Sequence, residues 1–440
     1  NKSFRHAPSQ LNAQHFQPSV NRNHYTVEPV ISSIVAAGDD SNVLRINRGG
    51  IVQMVNIEGD KNRRRQRSNQ SRWDIIDFTH LIVGDKMIRL ELQRQLNSKQ
   101  QFTTQLTIID DESNPRSAKW NHPLPANYNC LAITKKNGQT DTALIAFGGG
   151  TALGQYPLAT QSLILELRLA NPGEKPRIAH KLPGDKPVND LVFADLDGQA
   201  GQELVIAPDG EKITVYRINN KATENITQAL GLESGVGNWN SIACGDLNGN
   251  GENDLFAANW GTNQALNRYI QYNYRMYFSK ENGIMDIFET FQSNDKNILK
   301  PSLAKFKKSN PIRGLMYSTH ESFRLEGVEN IFNNAPNFRE INELRTRLFL
   351  NNNASFKAHP LPSEVQFAPT FGVVFDDFNL DGLLDIALNQ GFNDYYDGTE
   401  PQLNNSNLIL INRMDDKKSF DIAYKTGLGK NRSFPRVLAS

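Results

Sequence analysis

The chain has 440 residues, is 38% hydrophobic with 23 Phe and 12 Tyr, and carries a formal charge of +1. That length holds two or three ordinary domains or one large all-β domain with a sizeable core. The near-neutral balance excludes a global field for nucleic acid or an acidic polymer, and two cysteines, Cys130 and Cys244, exclude a disulfide framework.

Residues 1–26 are polar, with His6, His15 and His24 at no metal-ligand spacing, and read as an extended N-terminal arm. From Val27 one plan repeats: an apolar strand, a turn, then a hairpin whose turn is rich in Asn or Gly. Hairpins are predicted at 43–55, 213–227, 348–361 and 408–424. A period of roughly 50 residues with about four strands points to propeller blades. Inner-strand candidates near 31–37, 76–83, 131–146, 191–206, 242–257, 274–288 and 372–388 bring the count to seven. The expected architecture is therefore an all-β, seven-bladed β-propeller spanning 27–440.

Between Asn294 and Asn334 the period changes, and LAKFKKS, LMYSTHESFR and VENIF read as short helices. This is a small helical insertion on one blade, and a candidate binding surface because it leaves the common scaffold. The basic run KNRRRQR (61–67) has no interleaved aromatics and reads as a solvated loop rather than a nucleic-acid patch. No apolar run approaches the ~20 residues of a membrane-spanning helix. A start at Asn1, with neither initiator Met nor signal peptide, reads as a processed or excised chain. Both cysteines lie beside apolar strand residues and read as buried free thiols. Sequons at Asn1, Asn69, Asn225, Asn353, Asn404 and Asn431 add little.

The most specific feature is a nine-residue loop that occurs three times. Asp195, Asp197, Gln199 and Glu203 stand at its positions 1, 3, 5 and 9, as do Asp246, Asn248, Asn250 and Asp254, and Asp377, Asn379, Asp381 and Asp385. Alternate side-chain oxygens in a tight glycine-bearing turn converge on one point, which suits a hard cation. The carbonyls at position 7, of Gly201, Glu252 and Leu383, supply a further ligand. An EF-hand shares the opening but needs a bidentate Glu at position 12 and flanking helices. Position 12 is Ile206, Ala257 and Leu388, and the sequels LVIA, LFAA and IALN are buried-strand patterns. A degenerate copy places Lys135, Asn137, Gln139 and Ala143 at the ligand positions, keeping the turn without the oxygens.

Other chemistry has weaker signals. FGGGTALG (147–154) lacks the G-x-G-x-x-G spacing, and the following residues alternate around Pro157, so no helix opens there. Walker, G-x-S-x-G and H-E-x-x-H patterns are missing, and the eight His show no zinc spacing. Trp239, Trp260 and Tyr272 lie in or beside loops, where an aromatic either stacks on a sugar, anchors a protein or packs between repeats.

These loops resemble the FG-GAP/VCBS repeats of calcium-binding β-propellers, and TENITQALGLESGVGNWNSIACGDLNGNGENDLFAANWGTN (223–263) is most similar to the cartilage-acidic-protein type. The resemblance covers about 190–440 well and 27–190 loosely. It implies about three Ca2+ ions, at the twelve side chains named above. Gln199 is longer than the usual Asp, and the loop at 246 has only two carboxylates among its four side-chain ligands. Loops of this kind need the free calcium found outside the cytoplasm, so a secreted or cell-surface location is expected, periplasmic if the source is bacterial. The implied function is a non-catalytic interaction or adhesion module presenting a face to an extracellular protein or glycan. The alternative is a carbohydrate-active enzyme on the same scaffold, with loop carboxylates or Tyr as acid and base, or a lectin. A Tyr–Arg cluster or paired carboxylates in a deep central pocket would favour the enzyme.

Overall fold

The computed structural model describes 73–391 apart from 84–85, 97–101, 111–117, 140, 153–154, 282–283 and 333–335. It also describes 408–413 and 420–423, and the backbone of 31–36, 43–48 and 51–56. The expected N-terminal arm and the basic run at 61–67 lie outside these residues.

The fold is all-β, built from antiparallel sheets. The first sheet holds β1 (Ile31–Ala36), β2 (Val43–Arg48) and β3 (Ile51–Asn56). The second holds β4 (Asp74–Val83), β5 (Lys86–Leu96), β6 (Phe102–Ile109) and β7 (Lys119–Pro123). In the third, β8 (Tyr128–Lys135), β9 (Thr142–Gly149), β10 (Leu163–Arg168) and β11 (Arg177–Lys181) follow the same order. The fourth comprises β12 (Val188–Ala194), β13 (Glu203–Glu211), β14 (Thr214–Ile218) and β15 (Thr223–Asn225), with β16 (Gly237–Asn238) paired to the far end of β13. The fifth opens with β17 (Ser241–Gly245) and β18 (Asp254–Ala258).

Here the chain departs from the plan. An excursion follows, with α1 (Asn267–Ile270), β19 (Arg275–Glu281), β20 (Ile284–Ser293), β21 (Lys296–Leu299), α2 (Leu303–Ser309), α3 (Pro311–Gly314), α4 (His320–Leu325) and β22 (Asn337–Glu340). Only then do β23 (Arg347–Asn351) and β24 (Phe356–His359) complete the fifth sheet, before β25 (Thr370–Asp376), β26 (Asp385–Gln390), β27 (Leu408–Asn412) and β28 (Phe420–Ile422) form the sixth.

The sheets stack in chain order, and alternation along each second strand shows how. Ala143, Ile145 and Phe147 of β9 pack with Leu90, Leu92 and Leu106 of the second sheet. Their neighbours Leu144 and Ala146 pack with Leu204 and Ile206 of the fourth. Val205 and Ala207 meet Leu255 and Ala257 of the fifth sheet, and Phe256 and Ala258 meet Ile386 and Leu388 of the sixth. Successive side chains point to opposite faces, so a strand covered on both faces reads as a continuous apolar run. That is why LVIA, LFAA and IALN do not alternate.

First strands abut in the same order, β1–β4–β8–β12–β17–β25. Polar side chains stitch this series. Asp77 accepts from the Leu131 amide at 2.7 Å, and Asn129 donates to the Val188 carbonyl at 3.3 Å. Asp190 accepts from the Ile242 amide at 2.9 Å, and Asn240 donates to the Thr370 carbonyl at 3.0 Å. Burial pushes the Asp77 carboxyl up to about 7 and that of Asp190 up to about 6. The cysteines are free thiols, Cys130 buried and Cys244 partly so.

The strands near 274–288 do form, but not as the inner strands of a repeat. They make the centre of a separate sheet, order β21-β20-β19-β22, inserted between the second and third strands of the fifth. The helices expected within 294–334 pack on it through Phe306, Tyr317 and Phe323 against Tyr277, Phe288 and Leu299. Ser302 caps α2 by accepting from the Lys305 amide, and Thr319 with Ser322 forms a capping box on α4. The period shift at 294 marked only part of an excursion that leaves at the end of β18. Arg339 on β22 donates to the carbonyls of Pro157 and Asp209, and Lys280 donates to Gln155 at 2.7 Å. Asp209 lies near the end of β13 remote from Glu203, so the inserted unit packs against sheet ends opposite the 195–203 loop.

Candidate metal centres

The three loops join first to second strands in the fourth, fifth and sixth sheets, and position 9 opens the second strand each time. All three position-9 carboxylates, of Glu203, Asp254 and Asp385, are buried. Each accepts from the amide of position 2: Leu196 at 2.9 Å, Leu247 at 2.9 Å and Phe378 at 3.0 Å. Position 1 pins the turn from outside. Asp246 accepts from Gly249 at 2.7 Å and Gly251 at 2.8 Å, and Asp377 from Asp381 at 3.1 Å and Gly382 at 2.9 Å. Position 4 is left-handed in all three, which suits Gly198 and Gly249 (φ +67° and +74°) but strains Leu380 (φ +62°).

Ligand oxygens of Asp195, Asp197 and Glu203 all lie within 4.8 Å of one another. Burial, with the charges of Asp197 and Asp195 added, raises the Glu203 carboxyl above the ordinary value. Burial likewise raises Asp254 and Asp385, aided by the charges of Asp246 and Asp381 respectively. Such crowding of acceptor-only oxygens is relieved by a cation. Carboxylates, side-chain amide oxygens and a position-7 carbonyl are a hard-oxygen donor set, so these residues fit calcium.

Partners of the loops were missed at the sequence level. Asn351, at the end of β23, donates from Nδ2 to the Leu196 carbonyl at 3.0 Å and the Asn253 carbonyl at 3.2 Å. Its backbone amide donates to Asp254 at 2.7 Å. Asn412, at the end of β27, repeats this: to the Leu247 carbonyl at 2.6 Å, the Leu384 carbonyl at 2.9 Å, and from its amide to Asp385 at 2.7 Å. Each Asn thus ties its own loop to that of the preceding sheet. The shared ending of LFLN and LILIN was the signal that could have found them. Strand register places Ile218 at the corresponding point of β14. There the preceding residue, Arg217, ion-pairs with Asp197. Arg413 lies 3.2 Å from Asp381. The degenerate loop in the third sheet has a structural part, Asn137 donating to the Ala200 carbonyl at 2.8 Å.

Among the aromatics singled out, Trp239 is fully buried and its indole N–H donates to the Glu211 carbonyl at 3.1 Å, so it packs rather than binds. Trp260 is partly buried, edge-on to Phe371 at 6.2 Å. Tyr272 stays exposed. A Tyr–Arg grouping does occur where the inserted unit meets the third and fourth sheets: Tyr156, Asp209 and Arg339. Burial raises the Tyr156 phenol far above its ordinary value and raises Asp209. The Arg339 guanidinium donates through Nη1 to the Asp209 carbonyl at 3.3 Å and through Nη2 to that of Pro157, while its Nε is buried without a hydrogen bond.

No family model matches the chain, and no curated protein matches it. Among solved structures it is similar to the extracellular domain of a putative hybrid two-component system from B. thetaiotaomicron, at 11% identity and a TM-score of 0.27. That match covers 65% of this chain and 41% of the other, so the chain spans less than half the length of that neighbour. No helix among the described residues is long and apolar enough to cross a membrane.

Proposed function

We propose that the chain is a non-catalytic, calcium-stabilised β-propeller that works outside the cytoplasm as an interaction module. The six sheets whose first strands abut are its blades. The seventh sheet is an insertion and is not counted among them. The carrying observation is the triple recurrence of one loop with a buried position-9 carboxylate, joined in the loop at 195–203 by the gathering of three carboxylates within 4.8 Å. Calcium would be held by Asp195, Asp197, Gln199 and Glu203; by Asp246, Asn248, Asn250 and Asp254; and by Asp377, Asn379, Asp381 and Asp385. The carbonyls of Gly201, Glu252 and Leu383 would add to these. Calcium supplies charge neutralisation and cross-links each loop.

The partner-facing surface in this reading is the inserted unit. Ile312, Leu315 and Met316 are 83%, 85% and 69% exposed on and just after α3. Apolar side chains so exposed on a unit with its own aromatic core fit an extracellular protein partner.

Extracellular sites of this class bind at roughly 10⁻⁴ to 10⁻³ M. At about 2 mM calcium a ~10⁻⁴ M site stabilises by about 1.8 kcal/mol, and three by on the order of 5 kcal/mol. Melting curves test this: chelation should lower Tm by several degrees, and added calcium should restore it. Coincident curves with and without chelator would defeat the reading.

A further inference from the structure

Beside the 195–203 loop, between the third and fourth sheets, lies a polar groove of about 470 Å³. Lys136, Glu166, Arg177, His180, Glu203 and Arg217 carry its titratable groups, and amide side chains including Asn137 and Asn219 fill much of the remaining wall. One of those groups, Glu203, is also the position-9 residue of the loop. The groove and the candidate metal centre therefore share a wall.

Arg217 connects the two. It ion-pairs through Nη2 with Asp197 and through Nη1 with Glu224 at 3.3 Å. Its Nε is buried and makes no hydrogen bond. A guanidinium fork engages a carboxylate or sulfate best through two parallel N–H groups; with Nε closed off, the terminal nitrogens of Arg217 would have to supply them. On the facing wall Lys136 and Arg177 both hold Glu166, each at 3.0 Å, and Arg177 is largely exposed. Burial lowers the His180 pKa from its ordinary value.

The charges would respond to an ion. Asp197 serves Arg217 now and would serve a cation in the loop. A divalent ion there would draw the Asp197 carboxylate away and move the local balance two charges toward the positive. We propose that this groove is a calcium-gated anion site. With calcium in the loop, Arg217 is released from Asp197 and, with Arg177 and Lys136, takes the carboxylate or sulfate group of an acidic saccharide. The surrounding amides match sugar hydroxyls in hydrogen-bonding capacity. The volume lies within the usual range for small-ligand sites, about 300–1,000 Å³. The inference rests on calcium occupying the 195–203 loop.

Coupling of this kind is reciprocal: the anion must tighten calcium by the factor by which calcium tightens the anion, typically about 5- to 150-fold. The test is calorimetry on the full chain with a trisaccharide of galacturonate and, separately, a sulfated tetrasaccharide. Each is titrated in about 2 mM calcium, a concentration that fills sites of this class, and again in chelator. The expected result is binding in calcium that weakens at least about fivefold on chelation. The better of the two saccharides distinguishes carboxylate from sulfate. Arg217→Gln should have opposite effects on the two ligands, tightening calcium by removing its competitor for Asp197 and abolishing saccharide binding. Arg217→Lys should retain part of the coupling, and Lys357→Ala, on β24, should change neither. Arg177→Ala should weaken the saccharide and leave calcium affinity unchanged. Saccharide binding that ignores calcium, or no saccharide binding while calcium heats are present, overturns the gated site. Loss of calcium heats altogether, with Asp195→Ala indistinguishable from wild type, overturns the underlying metal reading instead.

Discussion

The loops at 195–203 and 246–254 share one spacing and differ in what holds them. In the first, three carboxylates crowd within 4.8 Å and Arg217 answers one of them. In the second, two carboxylates and two amides satisfy the turn internally. Asp246 takes three backbone amides, and Asn248 and Asn250 take those of Asn250 and Glu252 at 3.0 and 2.9 Å. Asn250 also donates to the Asn351 carbonyl at 2.9 Å. In the first, Asp195 and Asp197 also take one backbone amide each, at 2.9 and 2.8 Å, and their crowding is charge that a cation would relieve; the second is held by more such bonds and carries less charge. The loop at 377–385 has three carboxylates and the Asn412 tie, but its carboxylates do not gather as those of the first loop do. On the calcium reading, equal spacing therefore predicts unequal dependence on the ion.

Position-9 substitutions sharpen this contrast and should give the largest effects. Asp385→Ala removes a proposed calcium ligand and the acceptor of the Phe378 and Asn412 amides, so it should cost about 3–4 kcal/mol in calcium. Asp254→Ala strands as many amides but loses a weaker site, and should cost less. In chelator the two should converge, as denaturant melts in both conditions would reveal. A gap that persists without calcium would assign the difference to packing.

Next comes Asn351→Ala. It cuts the tie between the fourth and fifth sheets and leaves the buried Leu196 and the partly buried Asn253 each short of a donor to its carbonyl, at a cost of about 2–3 kcal/mol. Because this tie is protein-made, the cost should be the same with and without calcium. A cost that vanishes on chelation would mean that the Asn acts through the ion.

The strand plan, the turn positions and the oxygen spacing were legible because each is local. Alternation failed in LVIA and LFAA for the reason that made them useful: both faces are covered. What the sequence hid is what depends on register between distant segments. Asn351 lies 155 residues from the Leu196 carbonyl it serves, and no spacing rule links them. The strands near 274–288 looked like another repeat because a hairpin with a polar turn reads alike in any sheet. Only the closing of β18 onto β23, across the excursion, shows it to be inserted. Trp239, whose loop position allowed either stacking on a ligand or packing between repeats, takes the second course and joins the core cluster between the fourth and fifth sheets.

Two smaller effects separate strain and charge from metal binding. Leu380 is exposed and left-handed, where Gly249 stands in the equivalent turn. Leu380→Gly should stabilise by about 1 kcal/mol, read as a rise in denaturation midpoint; no rise would mean that the turn tolerates the side chain without strain. Asp77 alters a slope. Its carboxyl is raised by burial to about 7 from an ordinary 3.8. Between those values the folded chain holds a proton that the unfolded chain has lost, so this contribution to stability falls as pH rises through that window. Asp77→Asn lacks the titration. The stability of wild type relative to the variant should decline from about pH 4 to pH 7 and level off above. A difference independent of pH would contradict the buried, protonated carboxyl.

The most direct measurement is a crystal structure grown in millimolar calcium, with anomalous scattering used to identify ions. The account predicts an ion in each loop at about 2.3–2.6 Å from its oxygens, with Asp197 turned from Arg217 toward the ion. Three loops holding only water, with Asp197 still paired to Arg217, would contradict it.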